Sequence, residues 1–290
     1  MQLTLDFTQV ALFESGWCQR STDRVQSWRH SSEGGFNARR YSVYSIDEVV
    51  ARSFVLLHHY SRSYPAGRLA FGLFDGHRLV GVAVLGEPMH PRVIIKPLPT
   101  LDSSNAAELS RLVLLDEVPA NAETWFLRRV FGAAAEQGLR GVVAFADPMP
   151  RPQFGMPGHV GALYRAFGAD YCGRSWANTL TFLPDGTVFS NRSAQKIRGG
   201  EVGAAGQIRR LTALGATPPP GPADAGWLRD ALTEVGVRKV RHKGNHRFVF
   251  RLGGRVTRRR TPLGLASTAY PLTPDPISEE GTPKWPSTTS

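Results

Sequence analysis

Cysteine is scarce. Cys18 and Cys172 are the two in 290 residues, too few for a disulfide framework or a zinc site. Long apolar runs are missing as well. None approaches the roughly 18–20 residues that a membrane-spanning helix requires, and the N-terminus carries no signal-peptide pattern. The expected location is the cytoplasm, with no membrane partner. Acidic residues are thin in one region: 191–260 hold 4 Asp and Glu against 16 Lys and Arg, while 1–190 hold 17 against 18 and 261–290 hold 3 against 1. The formal net charge of +11 therefore belongs to one segment. Solubility needs no such concentration, whereas a face that grips a polyanion does.

The hydrophobic share, 41%, suits a packed core. Residues 1–40 are weakly periodic, broken around Ser31–Gly35, and read as an extension packed on the domain. Ser45-Ile46-Asp47-Glu48 resembles a capping box. It opens a helix to about His58, with Val50, Phe54 and Leu57 as the buried stripe. The exit, His58-His59-Tyr60-Ser61-Arg62-Ser63-Tyr64-Pro65, gathers polar tips ahead of a turn. Two apolar runs around Asp75-Gly76 predict a hairpin. Glu108–Leu115 reads as a strand, and Arg111 within it needs an acid or a ligand, because an unpaired buried guanidinium is costly. Asp147 is the candidate partner. Asn121 is placed to cap a helix from Ala122 to about Gln137, ended by Gly138.

Gly141–Ala146 reads as a buried strand that ends on Asp147 and is stopped by Pro148. Ligand sites collect at strand ends in open α/β sheets, which places Asp147 for chemistry. A Pro/Gly-rich loop follows, then a short helix from His159 with Val160, Leu163, Tyr164 and Phe167 on one face and Gly168 as its stop. A strand pair near Asp170–Cys172 and Trp176–Phe182 completes a domain of α/β class, a mixed sheet of about five to seven strands flanked by helices.

From Asn191 the texture turns basic. Lys196 and Arg198 open the segment, Pro218–Pro222 forms a stiff linker, and a helix spans about Ala225–Val235. Residues 237–252 look like a hairpin with a basic turn, whose Arg241, Lys243, His246 and Arg247 suit contact with phosphates. The tail, rich in Pro, Thr and Ser, is expected to be disordered. The organisation read from this is an N-terminal extension (1–40), an α/β domain (41–190), a basic, phosphate-contacting segment packed on it (191–258) and a tail (259–290), the domain being catalytic and the segment DNA-contacting in what the resemblance below implies.

Five motifs, taken together and in order, resemble the Mom family of phage DNA-modification proteins. They are the His58–Ala66 stretch, Glu108-Leu109-Ser110-Arg111-Leu112, Phe145-Ala146-Asp147, Gly158–Ala166, and the pair Ser193–Glu201 with Gly244-Asn245-His246-Arg247. The likeness runs over about Tyr41 to Leu252. It implies a fold related to the GNAT acyltransferases and conversion of adenine in DNA to an N6-methylcarbamoyl derivative, which protects phage DNA from host restriction. It also implies functional positions at His59, Tyr60, Arg111, Asp147 and Tyr164. One departure stands out. The loop in which GNAT proteins hold the CoA pyrophosphate on backbone amides is here Val118-Pro119-Ala120-Asn121-Ala122-Glu123-Thr124, with no glycine and one acid.

Attack on the acetyl-CoA carbonyl would leave an N6-acetyl group, whereas the methylcarbamoyl product joins N6 to a CH2 carbon. A glycine-derived donor, an activated methylene or metal-assisted chemistry is needed, and His59, Tyr60 and Asp147 are donors of a kind that iron accepts. The expected partners are double-stranded DNA and a small-molecule or carrier-bound donor, with a homodimer left open. In this reading the base is extruded from the duplex. Asp147 accepts the N6 proton, Arg111 holds Asp147 or the donor, Tyr164 stacks on the base, and His59 with Tyr60 orients the donor or a metal. The competing readings are a conventional GNAT N-acetyltransferase and a non-enzymatic DNA-binding protein.

Overall fold

The computed structural model describes residues 17–61, 63–151 and 158–276. Expectations for residues 1–16, Arg62, 152–157 and 277–290 lie outside the described residues. The described residues begin with an antiparallel hairpin, β1 (Trp17–Thr22) and β2 (Val25–His30). There follow β3 (Tyr41–Ser45), α1 (Glu48–His58), β4 (Gly67–Asp75), β5 (Arg78–Gly86), the short α2 (Arg92–Ile95), β6 (Ala106–Leu114), α3 (Ala122–Glu136), β7 (Gly141–Ala146), α4 (Ala162–Phe167) and β8 (Asp170–Arg174). Then come β9 (Asn178–Phe182), α5 (Asn191–Arg198), α6 (Ala204–Ala213), α7 (Ala225–Glu234), β10 (Arg238–His242), β11 (His246–Arg251) and α8 (Arg255–Arg259).

The described residues form two compact units, 17–175 with 245–276, and 176–244. The first is built on a seven-stranded sheet of order β3-β4-β5-β6-β7-β11-β8, antiparallel except for the parallel pair β6–β7. This is the mixed, helix-flanked α/β sheet expected. Along β7, Val142, Ala144 and Ala146 join the cluster that includes Phe126, Leu127 and Val130 of α3. Val143 joins the opposite cluster, with Ile94, Leu98 and Val249. Cover on both faces is why β7 is apolar throughout rather than alternating. The second unit has its own core, including Phe189, Ile197, Leu211 and Leu228, beside the β9–β10 ribbon.

Two irregularities open the site. β6 and β7 pair only through Ala106–Glu108 and Gly141–Val143, so beyond Glu108 the two strands separate. Within β6, Arg111 faces Val84 while Leu109 faces Leu85, which leaves Ser110 as a bulge. Residues three apart lie on opposite faces of a regular strand. The bulge brings Glu108 and Arg111 to the same cavity.

Several local expectations are corrected. The buried side of α1 is Ala51, Phe54 and Val55, while Val50 and Leu57 are 45% and 53% exposed. Asp47 and not Ser45 precedes α1, and its side chain makes no cap bond. Asn121 stands at the head of α3 in the left-handed region, φ 69°, but its side chain donates to the Ser31 carbonyl instead of capping. The helix expected from His159 begins at Ala162, because Gly161 adopts φ 79°. Residues 237–252 do not form a hairpin. β10 pairs with β9, and β11 enters the main sheet between β7 and β8. The described part of the tail is packed rather than disordered: Tyr270 Oη donates to Ala169 O at 2.5 Å and Asp275 pairs with Arg174 at 2.7 Å. The unit boundaries fall at 175/176 and 244/245 rather than near 190, since β11 completes the first sheet.

Candidate functional site

A cavity of about 500 Å³ lies where β6 and β7 part. His59, Tyr60, Arg111, Asp147 and Tyr164 all line it, so the five positions implied by the sequence resemblance are brought together. Glu108, Ser110, Arg151 and His159 join them.

α1 ends at His58, and His59 turns into extended backbone, φ −75° and ψ 133°. The His59 ring then stacks on Tyr60, with centroids 4.3 Å apart. His59 Nδ1 accepts the Ser61 amide at 3.1 Å. Burial, aided by the Arg111 charge, drives the His59 pKa down to about 3. The ring is therefore neutral, with its proton on Nε2. Arg111 reaches the same motif: Nε donates to Ser63 O at 3.1 Å and Nη2 to Ser63 Oγ at 2.8 Å. Burial lowers the Arg111 pKa, while Tyr60 and Glu108 act against that.

The expected Arg111–Asp147 pair does not form. Asp147 is salt-bridged to Arg151, one turn of loop away, and its Oδ1 accepts the Met149 amide at 3.0 Å. The Asp147 carbonyl accepts the His159 amide at 2.7 Å. Asp147 thus ties Met149, Arg151 and His159 to the end of β7.

Tyr60 is 38% exposed because it faces the open cavity, yet protein packed around its hydroxyl raises the pKa. Tyr164 is 8% exposed, with its ring enclosed by His159, Phe248 and Phe250. Burial raises its pKa, and its hydroxyl is near enough to feel Tyr60 and Glu108. Tyr164 thus lines the cavity with little of its ring exposed for the base stacking expected of it. The residue that the sequence did not single out is Glu108. Burial pushes its carboxyl up to about 7 against the pull of Arg111. Its one sequence signal was an acid inside an apolar strand, three positions before Arg111.

Neither implied cofactor fits these residues. For iron, the implied set offers one imidazole, one phenol and one carboxylate, the last already salt-bridged to Arg151. Among the described residues no three His, Cys, Asp or Glu side chains converge as a metal site. For CoA, the first turn of α3 carries Glu123, buried and ion-paired with the fully buried Arg20. The same guanidinium bonds the carbonyls of Val118 and Pro119 at 2.8 and 2.6 Å. An acid and a filled loop stand where a pyrophosphate would need free amides.

The expected DNA contacts divide. Arg198, Arg241 and Lys243 are exposed and Lys196 half-buried, all in the second unit. His246 and Arg247 are 2% and 7% exposed in β11. His246 Nδ1 bonds Tyr171 Oη at 2.8 Å and Arg247 donates to Cys172 O at 3.1 Å. Both belong to the core of the first unit and do not present a phosphate-binding surface.

Comparison with known proteins agrees with the sequence resemblance. The chain is 28% identical over 177 residues to the methylcarbamoylase mom of Escherichia phage Mu, covering 58% of this chain and 68% of that protein. Among solved structures it is similar to an IAA acetyltransferase from Bacillus cereus (13% identity, TM-score 0.35, 73% of this chain and 99% of that one). It is also similar to a tandem GNAT protein from the clavulanic acid biosynthesis pathway (13% identity, TM-score 0.36, 70% and 88%). Scores this low are too loose to carry over ligands or residues. The Mom protein family matches residues 40–271, and the chain belongs to that family.

Proposed function

We propose that the chain is a transferase that places a methylcarbamoyl group on N6 of adenine in DNA and acts in the host cytoplasm to shield phage DNA from restriction. The observation that carries this reading is the gathering of His59, Tyr60, Arg111, Asp147 and Tyr164 on one cavity in a member of the Mom family. The DNA-contacting residues are Lys196, Arg198, Arg241 and Lys243, which supply the sequence-independent phosphate term.

In the reaction the N6–CH2 bond forms while the bond from that carbon to the donor's leaving group breaks, the leaving group keeping the pair. The N6 proton passes to a base. Asp147, salt-bridged to Arg151, serves as acceptor for an N6–H hydrogen bond. Glu108, with a pKa of about 7, is matched to receive the proton near neutral pH. His59 donates from Nε2 to the donor carboxamide, and Arg111 keeps the His59–Ser63 turn against β6. The donor is a glycine-derived species with an activated methylene. The filled head of α3 speaks against acetyl-CoA, and so against the ordinary N-acetyltransferase reading.

The test is nucleoside mass spectrometry of DNA from cells that express the protein. Adenine heavier by the methylcarbamoyl group is expected, and its absence from an Asp147→Ala control that still binds DNA. An acetyl-sized increment, or normal product from a folded Asp147→Ala protein, would overturn this reading.

A further inference from the structure

Ser193–Glu201, part of the family resemblance, covers most of α5 and the turn into α6. The two helices share one core with α7, built from Ala194 and Ile197 of α5, Leu211 of α6, and Leu228 and Ala231 of α7, with Ile208 against it. The turn is tight. Gly200 N donates to Ile197 O at 3.2 Å and Glu201 N to Lys196 O at 2.9 Å, a closure that needs the left-handed backbone Gly200 adopts, φ 59°. Gly200–Val202 are all that separate the helix caps Gly199 and Gly203. Two short helices joined in this way are the frame on which a DNA-reading helix is carried.

The outer surface of this pair suits a polyanion. Residues 191–213 hold five Lys and Arg against one acid, Glu201, which is taken by Arg192 at 2.6 Å. On α6, Ile208 and Leu211 point inward and leave Ala205, Arg209 and Ala213, spaced four apart, on the exposed side. Its adjacent arginines are used differently. Arg210 bonds Thr187 and lies 3.9 Å from Asp185, which fastens α6 to the segment after β9. Arg209 is exposed, and its guanidinium has no hydrogen bond or ion pair among the described residues. The outer side of α7 instead exposes two acids, Asp230 and Glu234.

Gly206 is a second signal. A glycine inside a helix weakens it relative to alanine, and packing does not demand one here. Among the described residues the atom that a Cβ would meet is Arg209 Nη2, 4.0 Å away. The guanidinium therefore lies back along the helix toward its first turn, over small residues that let a partner approach the backbone closely. Guanine offers two acceptors, N7 and O6, in the major groove, spaced for such a fork.

We infer that α5 and α6 form a helix-turn-helix that lays α6 in the major groove of duplex DNA, with Arg209 reading a guanine and Lys196 and Arg198 holding flanking phosphates. This rests on the proposed action on DNA and assigns the element that reads sequence around the target.

The experiment binds the full chain to duplexes randomised around one adenine and sequences the bound fraction. Wild type should enrich guanine at one position. Arg209→Ala should lose that enrichment and bind the selected duplex on the order of ten-fold more weakly, with an unselected duplex unaffected. Lys196→Gln should weaken all duplexes alike and lower the salt slope by about 1. Ala205→Glu places an acid where a helix start favours one, so it should keep the melting temperature while weakening every duplex by roughly ten-fold or more. Three results overturn the inference and leave the activity standing if modified adenine is found: enrichment kept in full by Arg209→Ala, no enrichment by wild type, or a uniform loss in Arg209→Ala that marks a phosphate contact. A wild-type protein that binds no duplex overturns both.

Discussion

Arg20, fully buried on β1, is ion-paired with Glu123 in the first turn of α3. The pair joins a hairpin outside the family match to the helix that covers the main sheet. Its geometry is reinforced by the carbonyls of Gln19, Val118 and Pro119. An acid at a helix N-terminus also suits the helix dipole. The contact positions one wall of the cavity and fixes the head of α3 against β1.

Arg20→Met removes the cation and leaves the Glu123 carboxylate buried, which should cost about 3–5 kcal/mol in urea unfolding. Adding Glu123→Gln should restore part of the loss, because no uncompensated charge then remains. A single variant within about 1 kcal/mol of wild type would show that the hairpin does not hold the fold together.

Glu108 and His59 make opposite contributions to the pH dependence of stability. The Glu108 pKa rises from 4.5 to about 7 on folding, so between those values the folded state keeps a proton that the unfolded state releases. Its contribution falls as pH rises through that window. His59 drops from 6.5 to about 3, so its contribution is present above pH 6.5 and is lost as pH falls toward 3. Glu108→Gln should thus gain stability over wild type as pH is raised from 4.5 to 7, by at most about 3 kcal/mol. It should also lose modification activity at neutral pH. Denaturant melts over a pH series and product analysis read the two effects separately.

Gly161, at φ 79°, heads α4, and a Cβ there would lie 2.1 Å from the Phe248 ring. Gly161→Ala combines a left-handed backbone with overpacking and should cost about 3 kcal/mol. It should also shift Tyr164, one turn on, and so lower product formation. Gly168→Ala is the control. It shares the backbone strain at φ 86° but meets nothing within 4 Å, and should cost about 1 kcal/mol in the same melts.

Charge removal should separate the two kinds of basic residue. Arg241→Gln and Lys243→Gln should each reduce the slope of log affinity for duplex DNA against log salt by about 1, with stability unchanged. Arg247→Gln should leave the slope alone and lower the melting temperature, because its guanidinium is buried against Cys172 O. A slope that responds to Arg247 and not to Lys243 would reverse the assignment of the contacting surface.

The order of elements around the sheet was legible, since apolar runs and turn residues are local signals. Gly141–Ala146 matched its strand end for end, and Asp75-Gly76 marked the β4–β5 turn. Helix faces were harder to read. In α1 the choice of Val50 and Leu57 over Ala51 and Val55 turned on a rotation that only the neighbouring sheet decides. The basic run 237–252 misled because charge and alternation do not reveal which strand a strand pairs with. Phe248, Val249 and Phe250 carried enough apolar surface to be drawn between β7 and β8, taking His246 and Arg247 with them.

By itself the sequence determined the α/β class, the concentration of positive charge between 191 and 260, and the motif positions that converge on the cavity, because these depend on residue type and short-range spacing. Only the tertiary structure decided how those positions are wired. Asp147 pairs with the nearby Arg151 and not with Arg111, since Arg151 stands four residues along the same loop. Glu108 joins the site because a one-residue bulge at Ser110 turns it to Arg111's side, and its proton affinity follows from burial there. The tryptophan-bearing ribbon reaches the cavity through Arg20's bonds across about a hundred residues of sequence, a separation that local patterning cannot register.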